Sequence, residues 1–257
     1  MGHEIAGVIV EVGLGVEDFK VGDRVGVCPV SLVSGGPGYG YDGGYAEYVA
    51  APAVDLVPMP DGITFAEAAA GTDAGMTSYH ALFRTGGAKP GMKVGIIGIG
   101  GLGQIAARAA VVKGIEVYAV DISPKARELA KKLGVKEVFE DVRELADIQP
   151  DLIVDYAGFG TTTAGAIEVI APGGTVVLVG MGRLEATINT TPLILKAATL
   201  RGSVGGDKHD IAQVYKLMAS GDLKPEITEI TFDEIYEGLL KLERHEVAGR
   251  LVADMEK

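Results

Sequence analysis

Cysteine is nearly absent: the 257 residues hold one, Cys28. A single thiol cannot form a disulfide within the chain, and no cysteine-rich zinc lobe can be built around it. A reducing, cytoplasmic compartment fits that usage. Basic residues are scarce as well. Lys and Arg number 23 against 35 Asp and Glu, a formal net charge of −12. No basic stripe is available to neutralise phosphates, which argues against a nucleic-acid partner, and the negative balance disfavours an anionic membrane. Long apolar runs are missing too. The most apolar stretch, 94–112, is broken by five Gly, Gln104 and Arg108. It is expected to be strand, loop and buried helix rather than a membrane span. No charged-then-apolar leader opens the chain. No internal repeat or low-complexity tract is found.

What is present suffices for a sizeable core, since 47% of residues are hydrophobic. The length allows one large domain or two modest ones. The 38 glycines point to tight turns and close backbone approaches.

Three rhythms divide the chain, and we place the boundaries at 1–71, 72–205 and 206–257. The first segment reads as β, with strands expected over 5–12, 21–27 and 43–49, and a Gly-, Ser- and Tyr-rich loop over 31–44. Thr64 and Glu67 have capping-box spacing for a short helix. The middle segment alternates strand and helix. Strands are expected over 93–97, 116–121, 137–139, 151–155, 175–179 and 200–204. Helices are expected over 102–113, 124–133 and 161–170, the second with Ser123 as N-cap and Gly134 as its stop. Six strands alternating with helices imply an α/β fold with a doubly wound parallel sheet. The tail carries helices over 211–219 and 232–242 and strands over 229–232 and 250–253. It is expected to pack back on the first segment.

The loop Gly98-Ile99-Gly100-Gly101-Leu102-Gly103 has the spacing G-x-G-x-x-G. Glycine-rich turns are common, so context decides. Here a strand precedes the loop, a helix follows it, and Asp121 ends the next strand 18 residues past Gly103. Gly98 allows the tight turn, Gly100 a close approach to pyrophosphate, and Gly103 close helix–sheet packing. The helix start offers N–H groups to the phosphate. Asp121, with Ile122 beside it, suits the adenosine ribose hydroxyls and would repel a 2′-phosphate. NAD is therefore favoured over NADP, although Lys125 and Arg127 lie close enough in sequence to temper that preference.

Four further stretches resemble the zinc-dependent medium-chain alcohol dehydrogenases. They are Gly2-His3-Glu4 with the apolar run after it, Phe19 to Val25, Asp42 to Tyr48, and Gly71 to Tyr79. The resemblance implies a Rossmann nucleotide domain joined to a partial β-rich, GroES-like catalytic domain. It implies hydride transfer between a primary or secondary alcohol and NAD, with zinc polarising the alcohol oxygen. By the same resemblance His3 and Asp73 would be zinc ligands at one catalytic site at most, Glu4 would be either a supporting group behind them or an exchangeable zinc ligand, and Thr77 would touch the nicotinamide. Gly158 and Val179-Gly180-Met181 would line the cofactor cleft, and Arg250 would meet the pyrophosphate. A homodimer or homotetramer associating near 200–204 is also implied.

The likeness has gaps. Family members carry a stretch before the G-H-E motif that holds a first cysteine ligand and a Ser or Thr proton relay, whereas this chain has one residue before Gly2. The structural-zinc lobe is replaced by residues 28–40. Cys28 could stand in for the missing thiolate or serve as a small core residue. Asp73 could be a helix N-cap instead of a ligand. His80 is expected to be structural, and His209 and His245 solvated. Tyr39, Tyr41, Tyr45 and Tyr48 could line a substrate pocket or simply pack. Three functions therefore compete: a zinc-type alcohol dehydrogenase, a zinc-free quinone or enoyl reductase, and an NAD-binding module with little catalysis. The His3-Glu4 pair argues against the second, and the absent ligand and relay favour the third.

Overall fold

A computed structural model describes residues 1–31, 33–244, 246–247 and 249–255; His245, expected to be solvated, lies outside them. Residues 77–204 form one unit, and residues 1–76 with the tail from 205 form the other.

In the first segment β1 (Ile5–Val8), β2 (Arg24–Val27) and β3 (Leu56–Pro58) form an antiparallel sheet in that order. Ile5 lies opposite Val27, and Val27 opposite Leu56. The strand expected over 43–49 does not form. Gly44 N donates to Gly2 O at 2.8 Å and Tyr45 N to Met1 O at 3.2 Å. Those two bonds tie the segment to the chain start without extending into a ladder. Alternation was the only strand signal there, and two leading glycines weaken it.

Thr64 Oγ1 accepts from Glu67 N at 3.1 Å, and Glu67 Oε2 accepts from Thr64 N at 2.9 Å. This reciprocal cap starts α1 (Phe65–Ala70). The helix continues through a wide π turn (Gly71–Gly75), α2 (Met76–Tyr79) and a second π turn (His80–Thr85). Asp73 sits inside the first wide turn, so it is not an N-cap.

The middle unit holds β4 (Lys93–Ile97), α3 (Gly103–Val112), β5 (Glu116–Val120), α4 (Pro124–Leu133), β6 (Glu137–Phe139), β7 (Leu152–Asp155), α5 (Thr161–Val169), β8 (Thr175–Leu178), α6 (Thr190–Leu195) and β9 (Thr199–Gly202). The six strands are parallel in the order β6-β5-β4-β7-β8-β9. Ser123 caps α4, and Gly134 ends it with φ at 87°. The short 3-10 helix Val142–Asp147 and α6 were not anticipated; neither is long enough to show a helical period.

Both faces of this sheet are covered, which is why its central strands read as nearly unbroken apolar runs. Val94, Ile96, Val117, Ala119, Leu152 and Val154 pack with Ala106, Ala107 and Ala110 of α3. The alternate positions Ile97, Tyr118, Val120, Ile153 and Val176 pack with Ala166 and Ile167 of α5. Each fully buried Ile or Val contributes roughly 1.5–3 kcal/mol relative to exposure.

The tail supplies α7 (Lys208–Ala219), β10 (Ile227–Thr231), α8 (Ile235–Glu243) and β11 (Arg250–Asp254), with β10 and β11 paired in parallel. Buried Tyr215 donates its hydroxyl to Ala68 O at 3.0 Å. A Cβ on Gly71 would stand 2.7 Å from the Tyr215 ring, so glycine there lets α7 lie against the first segment. Among the described residues no helix is long and apolar enough to cross a membrane.

Candidate functional site

The glycine-rich turn joins β4 to α3, and each of its glycines answers a different constraint. Gly98 has φ at 84°, a left-handed conformation, and a Cβ there would stand 3.1 Å from Ala157 N. Gly103 starts α3, and a Cβ there would collide with the carbonyl oxygen of Gly98. A Cβ on Gly100 would meet nothing within 4 Å. Glycine at 100 therefore keeps open space in front of the turn, while Gly98 and Gly103 satisfy the turn itself. Leu102 stands at the N-cap of α3 and makes no side-chain capping bond there. The space at Gly100 and the backbone N–H groups at the start of α3 together could hold a pyrophosphate.

Asp121 lies just beyond β5. Its Oδ2 accepts from Ile99 N at 2.7 Å and its Oδ1 from Ser123 N at 2.8 Å. The carboxylate thus bridges the turn after β4 and the turn after β5. Ile122 is 81% exposed, so its side chain is free to pack on a ligand. Arg127 Nη1 donates to Asp121 O at 2.7 Å and Ile122 O at 3.0 Å, and its Nη2 lies 3.3 Å from Glu140 Oε2.

Two supports of this turn were not visible in the sequence. Ser78 Oγ donates to Leu102 O at 2.9 Å, and Tyr156 OH donates to Ser78 O at 2.9 Å. Burial pushes the Tyr156 phenol far above its ordinary range, so it stays a neutral donor. Asp155, fully buried at the end of β7, accepts from Ala157 N at 3.0 Å, Gly158 N at 2.8 Å, Thr162 Oγ1 at 2.7 Å and Thr163 Oγ1 at 2.8 Å. The available signal was an Asp closing an apolar strand, followed by Thr at 161–163.

Gly158 has φ at 64°, and a Cβ there would collide with the Gly180 carbonyl. Val179 N and Gly180 N both donate to Asp155 O at 3.0 Å, and Arg183 N donates to Gly158 O at 2.8 Å. These bonds fasten the loops after β7 and β8 to each other. Met181 is 77% exposed on the second loop, and Thr77 is buried in α2.

The other unit holds the residues expected to bind zinc. His3 Nε2 lies 2.8 Å from Asp73 Oδ2, and His3 Nδ1 lies 3.1 Å from Tyr39 OH. The tautomer with a proton on Nε2 donates to Asp73 and accepts from Tyr39. Glu4 is directed elsewhere: Oε1 accepts from Ala74 N at 2.8 Å, and Oε2 forms an ion pair with Arg250 Nη2. Arg250 Nε is buried with no partner among the described residues. Cys28 is buried and directs its thiol to Val30 O at 3.5 Å; burial pushes that thiol's pKa up, away from the thiolate a metal needs.

Among the described residues no group of three or more His, Cys, Asp or Glu is placed to hold a metal ion. His3 and Asp73 supply two donors, whereas a catalytic zinc takes about three protein ligands and a water. The side chains here do not complete that set.

Two family models match the chain. The alcohol dehydrogenase GroES-like domain matches residues 1–61, and the zinc-binding dehydrogenase model matches residues 101–220. An alcohol dehydrogenase of Geobacillus stearothermophilus is 33% identical over 100% of this chain and 82% of its own length. A second one from that organism is 36% identical over 98% of this chain and 81% of its own. Among solved structures, acetophenone reductase from Geotrichum candidum in complex with NAD superposes with a TM-score of 0.91, at 30% identity, covering 98% of this chain and 80% of that one. The alcohol dehydrogenase from Aeropyrum pernix gives a TM-score of 0.88 at 28% identity, covering 98% and 82%.

Proposed function

The chain belongs to the zinc-type medium-chain alcohol dehydrogenase family, and from that premise we propose that it binds NAD and transfers hydride between an alcohol carbon and the nicotinamide. The observation that carries the proposal is the turn at Gly98–Gly103, strapped to Asp121 and left open at Gly100. That arrangement supports pyrophosphate on the α3 N-terminus and ribose hydroxyls on Asp121. Exposed Ile122 suits the adenine face. Gly158, Val179, Gly180 and Met181 suit the nicotinamide end by their place after β7 and β8. Thr77 and Arg250 are assigned to nicotinamide and pyrophosphate on the family resemblance.

The substrate class is a small alcohol and its aldehyde or ketone. Zinc assistance, which the resemblance implies, would draw on His3 and Asp73. Those two fall one ligand short, and Glu4 is committed to Arg250 and Ala74. The two-donor set favours a second reading, an NAD-binding chain with little turnover. The same resemblance supports a homodimer or homotetramer, and all four residues of the edge strand β9 are exposed. The lone, buried Cys28 suits a cytoplasmic setting.

The test is to titrate NAD into the purified chain and then follow NADH formation at 340 nm with primary and secondary alcohols. Saturable NAD binding with alcohol-dependent NADH formation supports the first reading. Saturable binding without turnover supports the second. A folded chain that binds no NAD contradicts both.

A further inference from the structure

Asp121 is not the only charged group at the ribose end of the proposed NAD site. Arg127, one turn into α4, carries a guanidinium that could attract a 2′-phosphate and so undo the preference for NAD. The structure shows what it does instead. Nη1 is spent on the carbonyls of Asp121 and Ile122, at 2.7 and 3.0 Å. Nη2 faces Glu140 Oε2 at 3.3 Å, across from the end of β6. The arginine is largely covered, 21% exposed, while Glu140 is 68% exposed.

We propose that Glu140 is a specificity-determining residue: it neutralises Arg127, so that Arg127 does not offset the repulsion of a 2′-phosphate by the Asp121 carboxylate. The proposal rests on the NAD reading above and adds a residue to it. Two functions are separated within one side chain. The carbonyl bonds of Nη1 hold the shape of the turn after β5, and they persist without Glu140. The charge of the guanidinium is a distinct property, and Glu140 cancels it. Removing only the acid should therefore keep the turn and expose a net positive charge beside the ribose. NAD lacks a phosphate at that position and should gain little. Because Glu140 is exposed, salt should screen the effect.

The test is calorimetric titration of wild type, Glu140→Gln, Arg127→Leu and the double variant with NAD and with NADP, at low and high salt. Glu140→Gln should tighten NADP about threefold or more at low salt and leave NAD within about twofold. The gain should shrink at high salt and be missing when Glu140→Gln is added to Arg127→Leu. If wild type binds NAD but Glu140→Gln leaves the NADP-to-NAD ratio unchanged, the role of Glu140 is refuted and the NAD site stands. A gain that survives in the Arg127→Leu background refutes that role equally. If wild type binds neither dinucleotide, the NAD reading falls and the role of Glu140 with it.

Discussion

The Asp121 carboxylate accepts a hydrogen bond from Ile99 N at 2.7 Å, across the gap between the turns after β4 and β5. One side chain therefore shapes the glycine-rich turn and, in the proposed NAD site, would also face the ribose. Asp121→Ala should weaken NAD by about tenfold or more, because it removes a charge-assisted strap together with a ribose acceptor. Asp121→Asn keeps one acceptor oxygen and should fall between. Titration of the three proteins with NAD checks the order; an unchanged affinity in Asp121→Ala would remove this residue from the site.

Gly100 and Gly103 should respond in opposite ways to the same added methyl. The space at Gly100 is open, so Gly100→Ala should keep the wild-type melting temperature within about 2 °C and lose NAD affinity. At Gly103 the methyl would meet the Gly98 carbonyl, so Gly103→Ala should lower the melting temperature first. Thermal melts paired with NAD titrations separate the two. Equal destabilisation in both would deny that Gly100 faces ligand space.

Asp155 is fully buried and accepts from two backbone N–H groups and two threonine hydroxyls. Asp155→Ala leaves those donors without their acceptor and should cost about 3 kcal/mol or more, read from urea unfolding. Thr162→Val removes one donor and should cost about 1 kcal/mol. A near-neutral Asp155→Ala would show that water replaces the carboxylate.

Cys28 and Tyr215 both titrate upward from their ordinary values, chiefly because burial disfavours their charged forms. A raised pKa means the folded state holds its proton longer than the unfolded chain. Their contribution to stability is whole below the unfolded values and falls as pH rises from about 9, first through the thiol and then the phenol. Urea melts between pH 7 and 11 should show that alkaline decline, with a shallower slope in Cys28→Ala. The native thiol should also resist a maleimide at pH 8 and react once unfolded.

Much of the parallel sheet was legible because its signals are local. Ser123 and Gly134 punctuate α4 in plain view, and buried strands such as 152–155 are short apolar runs. The 43–49 segment misled because alternation reports a face, whereas a strand also needs a partner with free backbone groups. At the candidate site the glycine spacing and Asp121 could be read directly. The strap from Ile99 to Asp121, the Ser78–Leu102 bond and the pairing of Glu4 with Arg250 join residues far apart in sequence. No residue pattern announces such bonds; the fold has to bring them together. Arg127 shows the cost of proximity in sequence alone. It lies six residues from Asp121 and looked available to a phosphate, yet its donors serve two carbonyls and Glu140.

Isothermal titration of the 257-residue chain with NAD, alongside Gly100→Ala, tests the central claim most directly. Wild type should bind NAD saturably with one site per chain, and Gly100→Ala should melt like wild type yet give no saturable heat. A folded wild-type chain without saturable heat, or a Gly100→Ala chain that binds NAD as well as wild type, would contradict dinucleotide binding at the Gly98–Gly103 turn.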